Sequence, residues 1–187
     1  YNSTVHGLLG DMTISRGGDL YVSEGLHGAV FHFQQKTGNW LRLDTPGELP
    51  SPQTPALSPD EKTLYVPDYL RGIAAIDLAR RALTWLQPPS GIALNGIDGL
   101  YLYRGWFLAA QNGSRPARLI RFGQDLRRQQ VLEANTPELG EPTHGVIIGN
   151  EFHFIANTGW DAYDAQGAKK PGTPPIHSTV RKIAIRD

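Results

Sequence analysis

Short apolar runs bounded by glycine, proline, asparagine or aspartate follow one another along nearly the whole chain. Four of them read as one kind of short buried strand: Leu20–Glu24, Leu64–Asp68, Trp106–Ala110 and Phe152–Ala156. A turn precedes each, at Arg16–Asp19, Ser58–Lys62, Tyr103–Gly105 and Gly149–Glu151. These turns carry the residue types that tight hairpin connections need. An alternating run follows each buried strand, at Ala29–Phe33, Ile73–Leu78, Ala117–Phe122 and Val180–Ile185. Alternation at period two turns one face toward a core and the other toward solvent. A shorter strand opens each unit, at Asp11–Ile14, Pro55–Leu57, Leu100–Leu102 and Gly145–Ile148. A weaker one closes three units, at Trp40–Leu43, Leu83–Leu86 and Gln130–Glu133.

Equivalent positions such as Tyr21 and Tyr65, or Phe33 and Leu78, recur at a period of about 44 residues. Four antiparallel strands repeated at that period predict an all-β fold, a β-propeller with about four blades present. A β-sandwich also has regular strand spacing, but it does not require the same strand order to recur. The chain is expected to be one propeller domain over residues 1–187. The fourth unit ends without sequence for its outermost strand. Propellers commonly fill that gap from the other end of the chain, and Tyr1–Val5 would be the tail of such a strand. The chain is therefore expected to be part of a larger ring lacking its N-terminal blades, with a complete four-bladed ring as the alternative. Residues 157–178 form an insertion in the last blade. It carries Trp160, Asp161, Tyr163 and Asp164 and then the proline-rich Lys169–Pro175. Such an insertion reads either as a lid over a site or as a loose turn, with order expected in its aromatic half.

Eighteen basic residues balance eighteen acidic ones among 187. That balance supplies no electrostatic drive toward nucleic acid or an anionic membrane. The basic pairs Arg80-Arg81, Arg127-Arg128 and Lys169-Lys170 sit beside turn signals and read as solvated corners. No apolar run approaches the ~20 residues of a membrane span. The chain has no cysteine, which removes disulfides, thiolate metal sites and a cysteine nucleophile together. No Gly-x-Ser-x-Gly elbow is present. His32 and His153 alternate with apolar strand residues and read as packing positions. Asn2–Thr4 and Asn112–Ser114 match the glycosylation sequon, a short pattern that arises often by chance.

Longer strings go beyond a generic blade. Ser51–Asp60 followed by Leu64–Asp68 resembles the repeat of the regucalcin and gluconolactonase family of six-bladed propellers. Asn95–Leu100, then Phe107–Gly113 and Arg118–Phe122, is similar to that family's metal-ligand turn, inner strands and next strand. Glu141–Gly145 and Ala156–Trp160 are similar to bacterial gluconolactonase-like members. The resemblance covers about residues 7–187. It implies six blades and a divalent cation, usually calcium, at the axial end of the central tunnel. It implies a glutamate, an asparagine and an aspartate as ligands, each from the start of a different blade's inner strand. Asp98 matches the aspartate, as ligand and as general base. Gln53 falls where the family has its asparagine, a departure that lengthens the side chain. The family's glutamate has no counterpart in this chain. An exported, periplasmic or secreted location is likewise expected by similarity alone.

The residues just before or at the start of each opening strand crowd toward the axis of a propeller. Here these are Asp11, Gln53 with Thr54, Asn95 to Asp98, and Thr143 with His144. Polar groups at equivalent positions of separate blades are what a tunnel-mouth site needs. Each could instead bond only its own turn, as Asp and Asn often do. Asp98, Gln53 and Asp11 are the candidate metal ligands, and Asn95, Thr143 and His144 the candidate substrate-binding residues. The function expected is metal-dependent hydrolysis of a small-molecule substrate, a lactone or sugar acid derivative. The alternative is a propeller that binds a ligand or protein without catalysis. Gln111–Gly113 repeats the place of Glu24 and Asp68, and turn formation accounts for it.

Overall fold

The computed structural model describes residues 7–164, 166–174 and 177–185. The Tyr1–Val5 strand expected from the sequence lies outside the described residues. The fold is an all-β propeller of four antiparallel blades, each a small sheet whose strands neighbour one another in chain order. Blade 1 holds β1 (Leu9–Ile14), β2 (Leu20–Glu24), β3 (Ala29–Gln34) and β4 (Asn39–Arg42). Blade 2 holds β5 (Ala56–Leu57), β6 (Thr63–Asp68), β7 (Gly72–Asp77) and β8 (Ala82–Trp85). Blade 3 holds β9 (Gly99–Tyr103), β10 (Trp106–Gln111), β11 (Arg118–Gly123) and β12 (Gln129–Ala134). Blade 4 holds β13 (Gly145–Ile148), β14 (Glu151–Asn157) and β15 (Thr179–Ala184). Its sheet has three strands among the described residues, as the sequence expects.

Local chemistry sets the hairpins. Tyr103 pairs with Trp106 across Arg104 and Gly105, whose φ angles are 47° and 81°. Two residues with positive φ make a turn whose twist matches the strands it joins. β5 is shorter than its counterparts, and Pro55 before it has no N–H to give a ladder. In β14 the alternation is complete: Phe152, Phe154 and Ala156 are buried, and the residues between them are partly exposed.

The blades adhere face to face. Tyr21 and Val30 of blade 1 pack on Leu64, Val66 and Ile76 of blade 2. Ala56 and Ile73 of blade 2 pack on Leu100, Phe107 and Phe122 of blade 3. Leu108 and Leu119 of blade 3 pack on Phe152 and Phe154 of blade 4. Each fully buried large side chain there stabilises the fold by roughly 1.5–3 kcal/mol. The cores therefore lie between blades, so an isolated blade would leave an apolar face in water.

The opening strands β1, β5, β9 and β13 lie innermost and surround a tunnel cavity of about 360 Å³. β5 and β9 approach closely enough for a parallel bridge between Thr54 and Gly99. A Cβ at Gly99 would stand 2.7 Å from the carbonyl oxygen of Thr143, so a larger residue would push blade 4 away. On blade 1, the face turned away from blade 2 carries an apolar hollow of about 230 Å³ lined by Leu9, Leu20, Val22 and Trp40. In the 157–178 insertion, a 3-10 turn spans Trp160–Ala162, and Trp160 meets Tyr163 edge to face at 6.1 Å. The Lys170 ammonium donates to the Asp161 carbonyl, which ties the two halves of this segment together.

Candidate metal centre

Four side chains, one from each blade, meet at one end of the tunnel. Asp11 comes from β1. Leu9 pairs with Glu24 and Met12 with Val22, so two residues of β1 oppose one of β2. Such a β-bulge bends the strand locally, and Asp11 lies within it, partly buried like Leu9 and Thr13 on either side. Thr54, Asp98 and His144 each stand at the entry to the opening strand of blades 2, 3 and 4. The Thr54 amide donates to the Asp98 carbonyl at 3.2 Å, and the Asp98 amide donates to the Ala110 carbonyl at 2.9 Å. The His144 carbonyl accepts from the Ile155 amide at 2.9 Å. Backbone bonds thus fix the base of three of the four side chains.

Donor atoms of Asp11, Asp98 and His144 all lie within 4.8 Å of one another. His144 Nε2 is 3.2 Å from Asp11 Oδ1, and His144 Nδ1 is 2.9 Å from the Thr54 hydroxyl. The Thr54 hydroxyl also helps to draw the Asp11 carboxyl down. The Asn112 amide donates to Asp98 Oδ2 at 2.8 Å, and the Tyr69 hydroxyl donates to Asn112 Oδ1 at 2.9 Å. Burial pushes both carboxyls above the usual carboxylate range, and in each case His144 opposes the shift. Two partly buried carboxylates and an imidazole, drawn from different sheets, form a set that can hold a divalent cation. Beneath it, the Tyr101 hydroxyl accepts from the Gly145 amide at 2.7 Å, and burial pushes its own ionisation up to about 12. On the outer side, a cleft of about 140 Å³ is lined by Asn112, Arg115, Glu141 and Asp161. Asp161 places the 157–178 insertion at this same end of the propeller.

Three of the sequence candidates, Asp11, Asp98 and His144, come together here. Thr143 is buried beside them, and its hydroxyl has no hydrogen-bond partner among the described residues. Asn95 is exposed, and its carbonyl accepts from the Gln111 amide at 2.7 Å. The Gln53 amide turns to Ser51, 3.3 Å from both its carbonyl and its hydroxyl, and Thr54 is the residue whose side chain reaches the axis. Glu24 and Asp68 bind turn amides: Glu24 those of Leu26 and His27, Asp68 those of Leu70 and Arg71. Gln111 likewise braces the loop before β9. Asn112 differs from its sequence expectation, because it serves Asp98 as well as a turn. Tyr69 and Asn112 are the residues that sequence reasoning missed. Their only sequence signal is that both directly follow the end of a second strand, Tyr69 after Asp68 and Asn112 after Gln111. His32 packs on Tyr21 with ring centroids 4.7 Å apart and pairs with Asp19, and His153 pairs with Glu151.

No protein-family model matches the chain, and a search of curated proteins finds no match. Solved structures do match in fold. A chain of a nidogen–laminin complex aligns with a TM-score of 0.68 at 13% identity, covering 80% of this chain and 57% of that one. Virginiamycin B lyase from Staphylococcus aureus aligns with a TM-score of 0.64 at 13% identity, covering 100% of this chain and 59% of that one. Regucalcin from Agrobacterium tumefaciens, described as a calcium-binding protein, aligns with a TM-score of 0.61 at 17% identity, covering 79% and 52%. The chain therefore spans little more than half the length of these proteins, and the likeness establishes a shared propeller fold.

Proposed function

We propose that the protein is a metal-dependent hydrolase of a lactone or related ester, acting at the axial end of the propeller. The observation that carries this reading is the convergence of Asp11, Asp98 and His144 from three different blades. When bound, a divalent cation supplies Lewis-acid polarisation of an ester carbonyl. Asp11, Asp98 and His144 would hold it. Asn112 engages one oxygen of Asp98, which keeps the carboxylate in one orientation. The other oxygen would hold the cation or take a proton from an attacking water, as ligand or as general base. Tyr69 locks Asn112 in turn. The outer cleft beside Asn112 and Arg115 gives a small cyclic substrate a polar approach to this end of the tunnel. Calcium is the ion that the family resemblance implies and the one named for the regucalcin neighbour. The four blades would form an arc of a six-bladed ring, with another blade covering the hollow beside Leu20, Val22 and Trp40.

The test is hydrolysis of a panel of γ- and δ-lactones by chelator-stripped protein, before and after divalent cations are restored. Activity should return with the cation and fall at least 100-fold in Asp98→Ala. Cation-independent turnover, or an unchanged rate in Asp98→Ala, would overturn the assignment. A ligand-binding propeller without catalysis is the second reading, favoured by the way the Gln53 amide is held on Ser51 rather than offered to the axis.

A further inference from the structure

His144 stands between two oxygens at the axis. Its Nδ1 is 2.9 Å from the Thr54 hydroxyl, and its Nε2 faces Asp11 Oδ1 at 3.2 Å. Asp98 completes a group whose donor atoms all lie within 4.8 Å of one another. A hydroxyl oxygen can accept as well as donate. With Nδ1–H donating to Thr54, Nε2 keeps its lone pair for a cation held beside the two carboxylates.

We propose that the axial centre selects a borderline first-row cation of the zinc class over calcium, bound by His144 Nε2, Asp11 and Asp98, with Thr54 as the positioning residue that fixes the histidine tautomer. This inference rests on the reading of the axial cluster as a metal centre and is independent of the hydrolytic step. Calcium takes six to eight oxygen ligands, whereas one of the three donors here is an imidazole nitrogen. Imidazole with carboxylates suits zinc and its neighbours. The spacing admits such an ion: metal bonds of about 2.0–2.2 Å put neighbouring ligand atoms roughly 3–3.5 Å apart, Nε2 and Oδ1 are 3.2 Å apart, and an Asp98 oxygen lies within 4.8 Å of both. Ligating histidines almost always donate their second ring N–H to an outer partner, and Thr54 is that partner. Asn112 plays the corresponding part for Asp98 at 2.8 Å. Two of the three donors are thus oriented before any ion arrives.

The experiment is equilibrium dialysis and calorimetry on the full 187-residue chain, stripped of metal and titrated with zinc, cobalt(II) or calcium. One zinc per chain should bind at least 100-fold more tightly than calcium. Cobalt should give visible ligand-field bands that disappear in His144→Gln. Thr54→Val should lose about 10–100-fold in zinc affinity, with calcium affinity unchanged, and Thr54→Ser should restore zinc binding. Calcium binding as tight as zinc, or equal zinc affinity in Thr54→Val and the parent, would overturn the proposal. If Thr54→Val fails to fold, the zinc-to-calcium ratio and the cobalt spectrum of the parent decide alone. Tight zinc binding without lactone turnover would sink the hydrolase reading and leave this inference standing. No binding of any cation would sink both.

Discussion

Tyr101 and Tyr103 lie on the same strand and differ in one respect that a single oxygen can report. The Tyr101 hydroxyl accepts the Gly145 amide at 2.7 Å, directly after His144, and so ties blade 3 to blade 4 beneath the axial cluster. The Tyr103 hydroxyl is buried and has no hydrogen-bond partner among the described residues. Replacing each by phenylalanine removes the same atom. In Tyr101→Phe the Gly145 amide loses its partner, and an unsatisfied buried donor costs about 1–3 kcal/mol. In Tyr103→Phe an oxygen that was desolvated without compensation disappears, and the change should be neutral or stabilising by up to about 1 kcal/mol. The two variants should therefore differ by about 1–4 kcal/mol, with Tyr101→Phe the less stable. In urea, with a slope of about 2 kcal/mol per molar for a chain of this size, that separates the unfolding midpoints by about 0.5–2 M. Tryptophan fluorescence follows the transition, and equal slopes show that only stability changed. Equal midpoints for the two variants, or a greater loss in Tyr103→Phe, would refute the hydrogen-bond accounting at the blade 3–blade 4 boundary.

Phe152 is fully buried between blades 3 and 4, against Tyr101 and Phe154; Phe152→Ala should cost about 3–5 kcal/mol, while Met12→Ala, at a side chain 62% exposed, should stay within about 0.5 kcal/mol by the same urea assay. The carboxyls of Asp11 and Asp98 are held above their unfolded value of 3.8, first by burial, so the folded state binds more protons than the unfolded state just above that value. Metal-free protein should accordingly be most stable below pH 3.8 as far as these two groups are concerned, and should lose that increment as pH rises through their raised values. Asp98→Asn should raise the Tm of metal-free protein at neutral pH and abolish cation binding; a lower Tm at neutral pH would refute the desolvation argument.

The blade order was legible in the sequence because each blade repeats the same local chemistry. Tyr21 and Tyr65 mark equivalent positions of β2 and β6, and the turn before β10 falls at Arg104-Gly105, where positive φ is required. Asp98 and His144 were legible for a related reason: entry points of equivalent strands must converge if blades share an axis. What escaped the sequence depends on contacts between blades or on parity. Asn112 meets Asp98 within blade 3, but Tyr69, which holds Asn112, comes from the β6–β7 turn of blade 2. No pattern within one repeat announces that contact. Gln53 and Thr54 are neighbours, and successive side chains in extended backbone point opposite ways, so sequence alone does not say which faces the axis. The register shift beside Asp11 leaves no signal beyond Gly10 next to it.

The location of the ligands on three sheets ties binding to folding. No blade contains more than one of Asp11, Asp98 and His144, and Thr54 adds the fourth blade through its bond to His144. Without a cation, two carboxyls held above their usual range by burial stand together at the axis, and each destabilises the other's ionised form. The apolar packing and hydrogen bonds between blades must hold this arrangement closed against that repulsion. A bound cation would convert the same carboxylates into a clamp on blades 1, 3 and 4, adding about 2.7 kcal/mol at 100 times its dissociation constant. The axial charges thus oppose the packing of the blades when no cation is bound and would reinforce it with one in place.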